Sequence, residues 1–374
     1  MQSQSNNHRT IIVGAGHCGL SMAHELGKSG EDHIVLDSGP APGSSWRSRW
    51  DSLQLFTPAA HDGLPGRRFP ARGSVLPAAG AVADYLESYA EAFGLPIHSS
   101  TTVTGMDIGA AGGFTVHTTD GTFTADRVVV ATGVHQAPKI PAFAARISAA
   151  TTQLHSSEYR NPQMLPEGPV AVVGFGTSGA QIACELAAGR QVTLCGKPTA
   201  HVPGALIHFA PALYWLLVHR ILTRSTPAGR KVAKGFLAHG APLIGLTADD
   251  VDSAGVIRAG KIAEVRDGVM VAQDGKVVEA STIIWATGYR PDFSWINGLE
   301  VDGSGYPFHQ RGISTRVPGL GFLGLPFQYG LTSGIIGGAG RDARYLARRL
   351  PHRAATSSPH ASEQAANELA PDRD

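Results

Sequence analysis

The chain has 374 residues, with 31 Lys or Arg and 30 Asp or Glu, so its formal net charge is +1. This balance, without a basic arm or stripe, argues against a nucleic-acid partner. The 46 glycines exceed the usual share of about 7% and fall in turns between apolar strands, which is typical of an α/β nucleotide-binding protein.

The first predicted unit is a strand, a glycine turn and a helix. The strand covers residues 10–13, the turn reads Gly14-Ala15-Gly16-His17-Cys18-Gly19, and the helix begins at Leu20. Small residues before a helix N-terminus let backbone amides approach a pyrophosphate. A second strand over residues 34–36 leads to Asp37, where such units place an acid that binds ribose hydroxyls. The unit therefore predicts a dinucleotide site, for FAD or NAD.

The next segment, residues 39–77, is irregular and dense in Pro, Gly, Trp and Arg. It is too long for a simple connector, so we expect it to build part of a site. A helix is predicted over residues 81–93, and strand-like alternation follows over residues 97–130. The last of these strands leads into Ala131-Thr132-Gly133, and the Pro-rich residues 134–166 are predicted to be a linker.

The second predicted unit repeats the first. Its strand covers residues 170–173, and its turn reads Gly174-Phe175-Gly176-Thr177-Ser178-Gly179. No acid follows its second strand, residues 191–194; Cys195, Gly196 and Lys197 stand there instead. Because a lysine pairs with a 2′-phosphate that an acid would repel, NADPH is favoured over NADH, which remains an alternative. Two such units in one chain predict a protein that holds two dinucleotides at once.

The remaining elements complete this pattern. A strand over residues 282–285 leads into Ala286-Thr287-Gly288, the second Ala-Thr-Gly of the chain. Gln328 precedes a glycine-rich helix predicted over residues 331–350, whose positive end would face a bound flavin. Residues 351–374 are predicted to be a disordered tail. The apolar run 209–218 is too short to span a bilayer, so we expect a core or pocket helix, with a shallow contact with a lipid surface as the alternative, and no stable membrane insertion.

Cysteine and histidine usage excludes several other classes of site. Cys18, Cys184 and Cys195 form no C-x-x-C pair, which argues against a redox dithiol, a zinc knuckle and disulfides. The N-terminus lacks the apolar core of a signal peptide, so a cytoplasmic location is expected. The sixteen histidines are scattered, and no metal site or catalytic triad is predicted.

These residues resemble the flavoproteins with two dinucleotide-binding domains, and within them the small bacterial flavin-containing monooxygenases, class B enzymes related to plant indole-3-pyruvate monooxygenases. The resemblance covers residues 10–350; its specific parts are both glycine turns and residues 43–46, 50–58, 155–159 and 286–291. It implies an α/β fold with two Rossmann-like domains, the second inserted in the first. Residues 1–160 and 282–350 would form the FAD-binding domain and residues 161–281 the NADPH-binding domain.

The same resemblance implies an activity. FAD would be reduced by NADPH and would hold dioxygen as a C(4a)-hydroperoxide, with one oxygen atom passing to a small, fairly apolar substrate and the other to water. Oxygenation at sulfur or nitrogen and Baeyer–Villiger insertion stay open, as does a homodimer. The alternatives are an NADPH-consuming oxidase or reductase that yields hydrogen peroxide, and a non-catalytic redox sensor or transport accessory.

The predicted cofactor-binding residues lie in the two glycine turns, at the ends of the following strands and in residues 43–58. They are Gly14, Gly16, Cys18, Gly19, Asp37, Trp46, Gln54, Thr132, Gly133, Gly174, Gly176, Thr177, Ser178, Gly179, Lys197, Thr287, Gly288 and Gln328. Phe56 and Gln328 are the candidate catalytic residues.

Three departures from the family pattern accompany this assignment. Phe56 stands about where many members place an asparagine near the flavin. In the family motif between the two units, His155 and Tyr159 match, whereas Ala149 and Thr151 replace a Phe and a Gly. Gly196 stands where many members have an arginine, so Lys197 would take over phosphate recognition.

Overall fold

The computed structural model describes residues 6–110, 112–199, 211–239 and 243–351. The helices, α1 to α8 in chain order, are His17–Gly27, Ser44–Arg47, Ala79–Ala92, Thr177–Ala187, Pro211–Arg220, Pro227–His239, Ala248–Ser253 and Ile336–Arg349. The strands, β1 to β19 in chain order, are Asn7–Val13, His33–Leu36, Ile97–His98, Val103–Ile108, Phe114–Thr118, Gly121–Val130, Ala137–Pro138, Thr152–His155, Val170–Val173, Val192–Cys195, Ile257–Ala259, Ile262–Arg266, Val269–Ala272, Val277–Val278, Thr282–Trp285, Tyr289–Arg290, His309–Gln310, Ile313–Ser314 and Leu320–Phe322. Short 3₁₀ turns lie at Ala59–His61, Ala142–Arg146, Pro162–Met164 and Leu331–Gly334.

The first sheet is built around β1. Parallel strands lie in the order β19-β6-β1-β2-β3, and the hairpin β4–β5 extends β6 in antiparallel fashion. Successive side chains of β1 point to opposite faces of the sheet. Ile12 packs with α1, α3 and α8 on one face, whereas Ile11 and Val13 pack with Phe114 and its neighbours on the other. Because both faces are covered, the strand is apolar throughout its buried half.

The second sheet repeats this topology around β9. Its strands are all parallel, in the order β11-β10-β9-β15-β8. Val172 packs against α4, whereas Ala171 and Val173 pack with Met270 of the small sheet β12-β13-β14. Two α/β units, each built on a sheet with parallel strands, confirm the predicted fold class.

The strand pairing divides the chain between the two sheets at positions that differ from both predicted domain boundaries. The strand β15, which we assigned to the first domain, pairs with β9, and β8, from the predicted linker, pairs with β15. Residues 152–155 and 282–285 therefore belong to the second sheet. The physical reason is that the end of β6 and the whole of β15 are both short apolar runs before Ala-Thr-Gly, so that only the strand pairing distinguishes them.

Helix ends also differ from the predictions. The predicted helix 331–350 is a 3₁₀ turn, Leu331–Gly334, followed by α8 from Ile336, with Ile335 in extended conformation between them. The predicted apolar helix corresponds to α5, whose Tyr214, Trp215 and Val218 form a small core; residues 209 and 210 lie outside the described ranges. No helix in the described ranges is both long enough and apolar enough to cross a membrane. Residues 352–374 of the predicted tail lie outside the described part.

Candidate functional site

The two glycine turns have the same geometry. The amide of Gly14 donates to the carbonyl of Leu36, and that of Gly174 donates to the carbonyl of Cys195, both at 2.8 Å. Gly14 and Gly174 have φ of +107° and +118°, a region that side chains rarely adopt. A Cβ on Gly14 would also lie 2.8 Å from the carbonyl oxygen of Ala131. The first glycine of each motif is therefore required by the packing of the protein itself.

The second glycine of each motif faces open space. A Cβ built on Gly16 or Gly176 meets no atom of the described residues within 4 Å, and neither backbone has a positive φ. Both residues are helix N-caps without a capping side chain, and neither helix has an acid in its first turn. The N-terminal amides of α1 and α4 are thus open to an anion, and the positive helix end favours one.

Two buried polar atoms beside the first turn lack partners among the described residues. They are Nε2 of His17, in the first turn of α1, and Oγ1 of Thr132, which follows β6. Burial, with a smaller effect of His135, lowers the pKa of His17 to about 4, so its ring is neutral near pH 7. Unpaired buried polar groups are costly, and the phosphate or hydroxyl oxygens of a dinucleotide would satisfy both. These residues fit a bound dinucleotide.

Asp37 lies where the sequence predicts it, directly after β2. Its Oδ2 accepts a hydrogen bond from the amide of Ala15 at 2.5 Å, and its Oδ1 accepts one from the amide of Gly39 at 2.8 Å. The carboxylate thereby fixes the conformation of the first glycine turn. Its binding to ribose hydroxyls stays a prediction.

Residues 46–58 lie where the two units meet. Trp46, on α2, packs against the core of the first unit and that of the second. Leu53 and Leu55 hydrogen-bond to Ala79 and Pro77, which holds Gln54 exposed and Phe56 half-buried. The structure thus places the predicted flavin-edge segment at the junction between the units, whereas the contacts of Gln54 and Phe56 with a cofactor stay predictions.

Asp62 is a buried carboxyl group that the sequence analysis missed. Its Oδ1 accepts a 2.6 Å hydrogen bond from the hydroxyl of Thr57, next to Phe56, whereas its Oδ2 is buried without a partner among the described residues. Burial raises the pKa of Asp62 from 3.8 to about 7 against the opposing effect of the Thr57 hydrogen bond. No periodicity or motif identifies this position, because the surroundings of Asp62 are set by the fold.

The raised pKa of Asp62 predicts a stability that falls with rising pH. As pH rises from about 4 to about 7, the unfolded chain loses this proton while the folded chain keeps it, so the folded state loses stability over that window. The loss is at most on the order of 4 kcal/mol, because each pKa unit is worth about 1.4 kcal/mol. Asp62→Asn should flatten the dependence of unfolding free energy on pH, measured by urea unfolding. Asp126→Asn, on an exposed position of β6, is the matched control, and an Asp62→Asn profile parallel to wild type would contradict the prediction.

Gln328 is fully buried in the loop before α8. Its Oε1 accepts from the amide of Leu325 at 3.3 Å, and its Nε2 lies 3.5 Å from the carbonyl oxygen of Arg311. The neighbouring Phe327 has a φ of +51°, so the side-chain amide holds a strained loop in place. A contact between Gln328 and a flavin stays a prediction.

His155 joins β8 to the second Ala-Thr-Gly segment. Its Nδ1 accepts from the amide of Ser157 at 3.2 Å, which leaves Nε2 to donate to the carbonyl of Gly288 at 3.0 Å. The ring also lies edge-on to Tyr289, whose hydroxyl accepts from Arg49 of the first unit at 3.1 Å. Both ring nitrogens are occupied, which supports the interpretation of His155 as a residue that orders the connection between the units. Thr287 donates its hydroxyl hydrogen to the carbonyl of Lys139 in the same region.

A basic cleft of about 510 Å³ lies beside the second glycine turn. Its lining includes three cations, Lys197, Arg258 and Lys261, and one carboxylate, that of Asp274. Strands β10 and β11 are adjacent and parallel, and each is followed directly by a Gly-Lys pair, Gly196-Lys197 and Gly260-Lys261. Both lysines therefore lie at the same edge of the second sheet. Sequence reasoning found only Lys197; the repeated Gly-Lys pair was the signal for Lys261.

The cysteines are unsuited to disulfide chemistry. All three lie in the described residues and are free. Burial raises the pKa of Cys18 and of Cys195 to about 12, so both are thiols rather than reactive thiolates at neutral pH. The sulfur of Cys18 lies against Gly324, and a contact between Cys18 and a cofactor stays a prediction.

Comparison with known proteins gives the family. Residues 11–203 match the family described as pyridine nucleotide-disulphide oxidoreductase. An oxidoreductase of Geobacillus kaustophilus described as CzcO-like is 37% identical over 90% of this chain and 96% of that protein. The chain therefore belongs to the pyridine nucleotide-disulphide oxidoreductase family. Indole-3-pyruvate monooxygenase YUCCA1 of Oryza sativa is 32% identical over 82% of each chain.

A solved structure agrees with this assignment. The flavin-containing monooxygenase from Stenotrophomonas maltophilia superposes with a TM-score of 0.74 at 26% identity, covering 92% of this chain and 98% of that one. The chain is therefore an oxidoreductase of the flavin-containing monooxygenase type, as the resemblance implied.

Proposed function

We propose that this oxidoreductase is an NADPH-dependent FAD monooxygenase that oxygenates a small, fairly apolar substrate. The observation that carries the proposal is the pair of glycine turns in which Gly16 and Gly176 leave space that no described residue fills. One turn suffices for one dinucleotide, whereas a monooxygenase of this type needs a flavin and a reduced nicotinamide together. FAD would occupy the first turn and NADPH the second.

The protein's own contribution is binding, orientation and exclusion of water. A bound flavin would supply the redox chemistry, by accepting a hydride and reacting with dioxygen. The amides at the start of α1 would bind its pyrophosphate, and His17 Nε2 and Thr132 Oγ1 would donate hydrogen bonds to the same cofactor. The junction formed by Trp46 and residues 50–58 would cover the reacting end. The overall reaction converts NADPH, a proton, dioxygen and substrate to NADP⁺, water and oxygenated substrate.

An oxidase that releases hydrogen peroxide is the second candidate, because Phe56 offers no amide to a reactive oxygen. Incubation with NADPH, a thioether and isotopically labelled dioxygen separates the two functions. A monooxygenase places one labelled atom in the product. Unlabelled substrate with full recovery of the label as peroxide would reject the proposal in favour of the oxidase. The absence of flavin reduction by NADPH would favour a non-catalytic redox sensor or transport accessory.

Replacement of Phe56 by asparagine should change the fate of oxygen more than the rate of flavin reduction. The new amide could donate a hydrogen bond near the reacting oxygen, provided that it is not left unpaired in an apolar environment. Wild type should then release more hydrogen peroxide per NADPH consumed than Phe56→Asn. The measurement is peroxide yield with and without a thioether substrate, and Phe56→Leu controls for loss of the ring. Equal coupling in wild type and Phe56→Asn would show that position 56 does not face the reacting oxygen.

A further inference from the structure

A long segment of the chain contains no acidic residue. None of its 30 acidic residues lies between positions 186 and 248, whereas seven Lys and Arg residues do. These cations are Arg190, Lys197, Arg220, Arg224, Arg230, Lys231 and Lys234. The chain is close to neutral overall, so this segment is a local excess of positive charge. It contains the helices α5 and α6.

The two helices have buried faces that fix which sides point outward. On α5, Tyr214, Trp215 and Val218 pack with Leu331 and Ile335. On α6, Ala233 is buried and the ring of Phe236 lies 5.9 Å from that of Phe327. The connection between the helices is tied down as well, because Leu331 donates its amide to Leu222 and Arg224 donates its amide to Tyr329. The outward faces are thus a fixed surface of the fold.

The outward faces combine exposed apolar side chains with unpaired cations. Leu216 is 51% exposed and Ile221 46%. Arg220, Lys231 and Lys234 are exposed, and their side chains form no hydrogen bond or ion pair with another residue in the described ranges. Leu216 and Arg220 are four residues apart, on one side of α5. We call this surface, Leu216, Arg220, Ile221, Lys231 and Lys234, the α5–α6 face.

We propose that the α5–α6 face docks on an anionic lipid surface. Cations attract the negative leaflet, and each contributes on the order of 1 kcal/mol near it, while exposed apolar side chains enter the headgroup boundary. Because no acid stands at positions 186–248, the segment itself adds no charge that would repel an anionic surface. The mixture of apolar side chains with the cations favours lipid over a purely polyanionic partner. This docking is peripheral and does not depend on the proposed oxygenation.

The test is flotation of the full chain with vesicles of phosphatidylcholine alone or with phosphatidylglycerol added. The protein should float with the anionic vesicles, remain unbound with the zwitterionic ones, and dissociate as salt is raised. Leu216→Glu combined with Lys231→Glu should weaken the binding by at least about tenfold. The matched control is Val277→Glu with Arg266→Glu, which makes the same kinds of change on exposed positions of the β12-β13-β14 sheet.

Three results would overturn the proposal. These are no binding to anionic vesicles, equal loss in the two double variants, and equal binding to both kinds of vesicle. Sedimentation provides a further arm, since the same face could contact a second copy of the chain. A dimer that the Leu216→Glu and Lys231→Glu changes dissociate, with no flotation of the wild type, would assign the face to self-association instead. Flavin content and circular dichroism of each variant show that it is folded.

Discussion

Gly16→Val should yield folded protein without FAD. A Cβ at position 16 meets no atom of the part of the chain that the structure describes within 4 Å, so we expect the fold to tolerate it. The larger side chain would occupy the space through which the backbone approaches the pyrophosphate. The measurement is the ratio of flavin absorbance to protein after purification and reconstitution, with circular dichroism as the check on folding. Gly14→Val is unsuitable for this purpose, because its Cβ would press on Ala131 and its φ is +107°.

Gly176→Val is the matched partner of this variant. It stands at the same position of the second turn and also faces open space. We expect it to retain flavin and to lose reduction by NADPH. Gly303→Val, another glycine with no neighbouring atom and no positive φ, should retain both properties. If Gly176→Val lost flavin while Gly16→Val kept it, the assignment of FAD and NADPH to the two turns would be reversed.

Lys197→Ala should lower kcat/KM for NADPH about 10- to 100-fold and leave the value for NADH nearly unchanged. The reason is the loss of a charge-assisted hydrogen bond to the 2′-phosphate, worth roughly 1.5–3 kcal/mol, which NADH does not form. Lys197 lines the basic cleft and makes no ion pair with any described residue, so its charge is available to a ligand.

Lys261 should add to this effect. It lines the same cleft from the adjacent strand end, whereas the third cation, Arg258, already pairs with Asp252 at 2.8 Å. Lys197→Ala with Lys261→Ala should therefore lose more NADPH efficiency than either change alone, as steady-state kinetics with both nucleotides would measure. Lys28→Ala, an exposed cation after α1, controls for net charge. An equal loss for NADH and NADPH would show that these lysines do not bind the 2′-phosphate.

The sequence by itself determined the two nucleotide-binding units. At Gly14 and Gly174 the backbone has a positive φ that favours glycine, and at Gly19 and Gly179 the helix packs too closely against the turn for a side chain. The spacing of these glycines therefore predicts the local structure. Asp37 and Lys197 could be placed as well, because each lies within two residues of the end of a strand, β2 or β10, that the sequence predicts. The signal is short-range, and local geometry suffices to interpret it.

Only the tertiary structure decided which strands belong to which sheet. β6 and β15 read alike along the chain, and β8 reads as part of a linker; hydrogen bonding across the sheets separates them. The proximity of Lys197 to Lys261 depends on the pairing of β10 with β11, and the burial of His17 and Asp62 depends on the packing of the folded chain. Burial and proximity arise from residues far apart in sequence, and no local pattern encodes them. The glycine turns could therefore be predicted from the residues alone, whereas the orphaned polar atoms and the basic cleft required the folded chain.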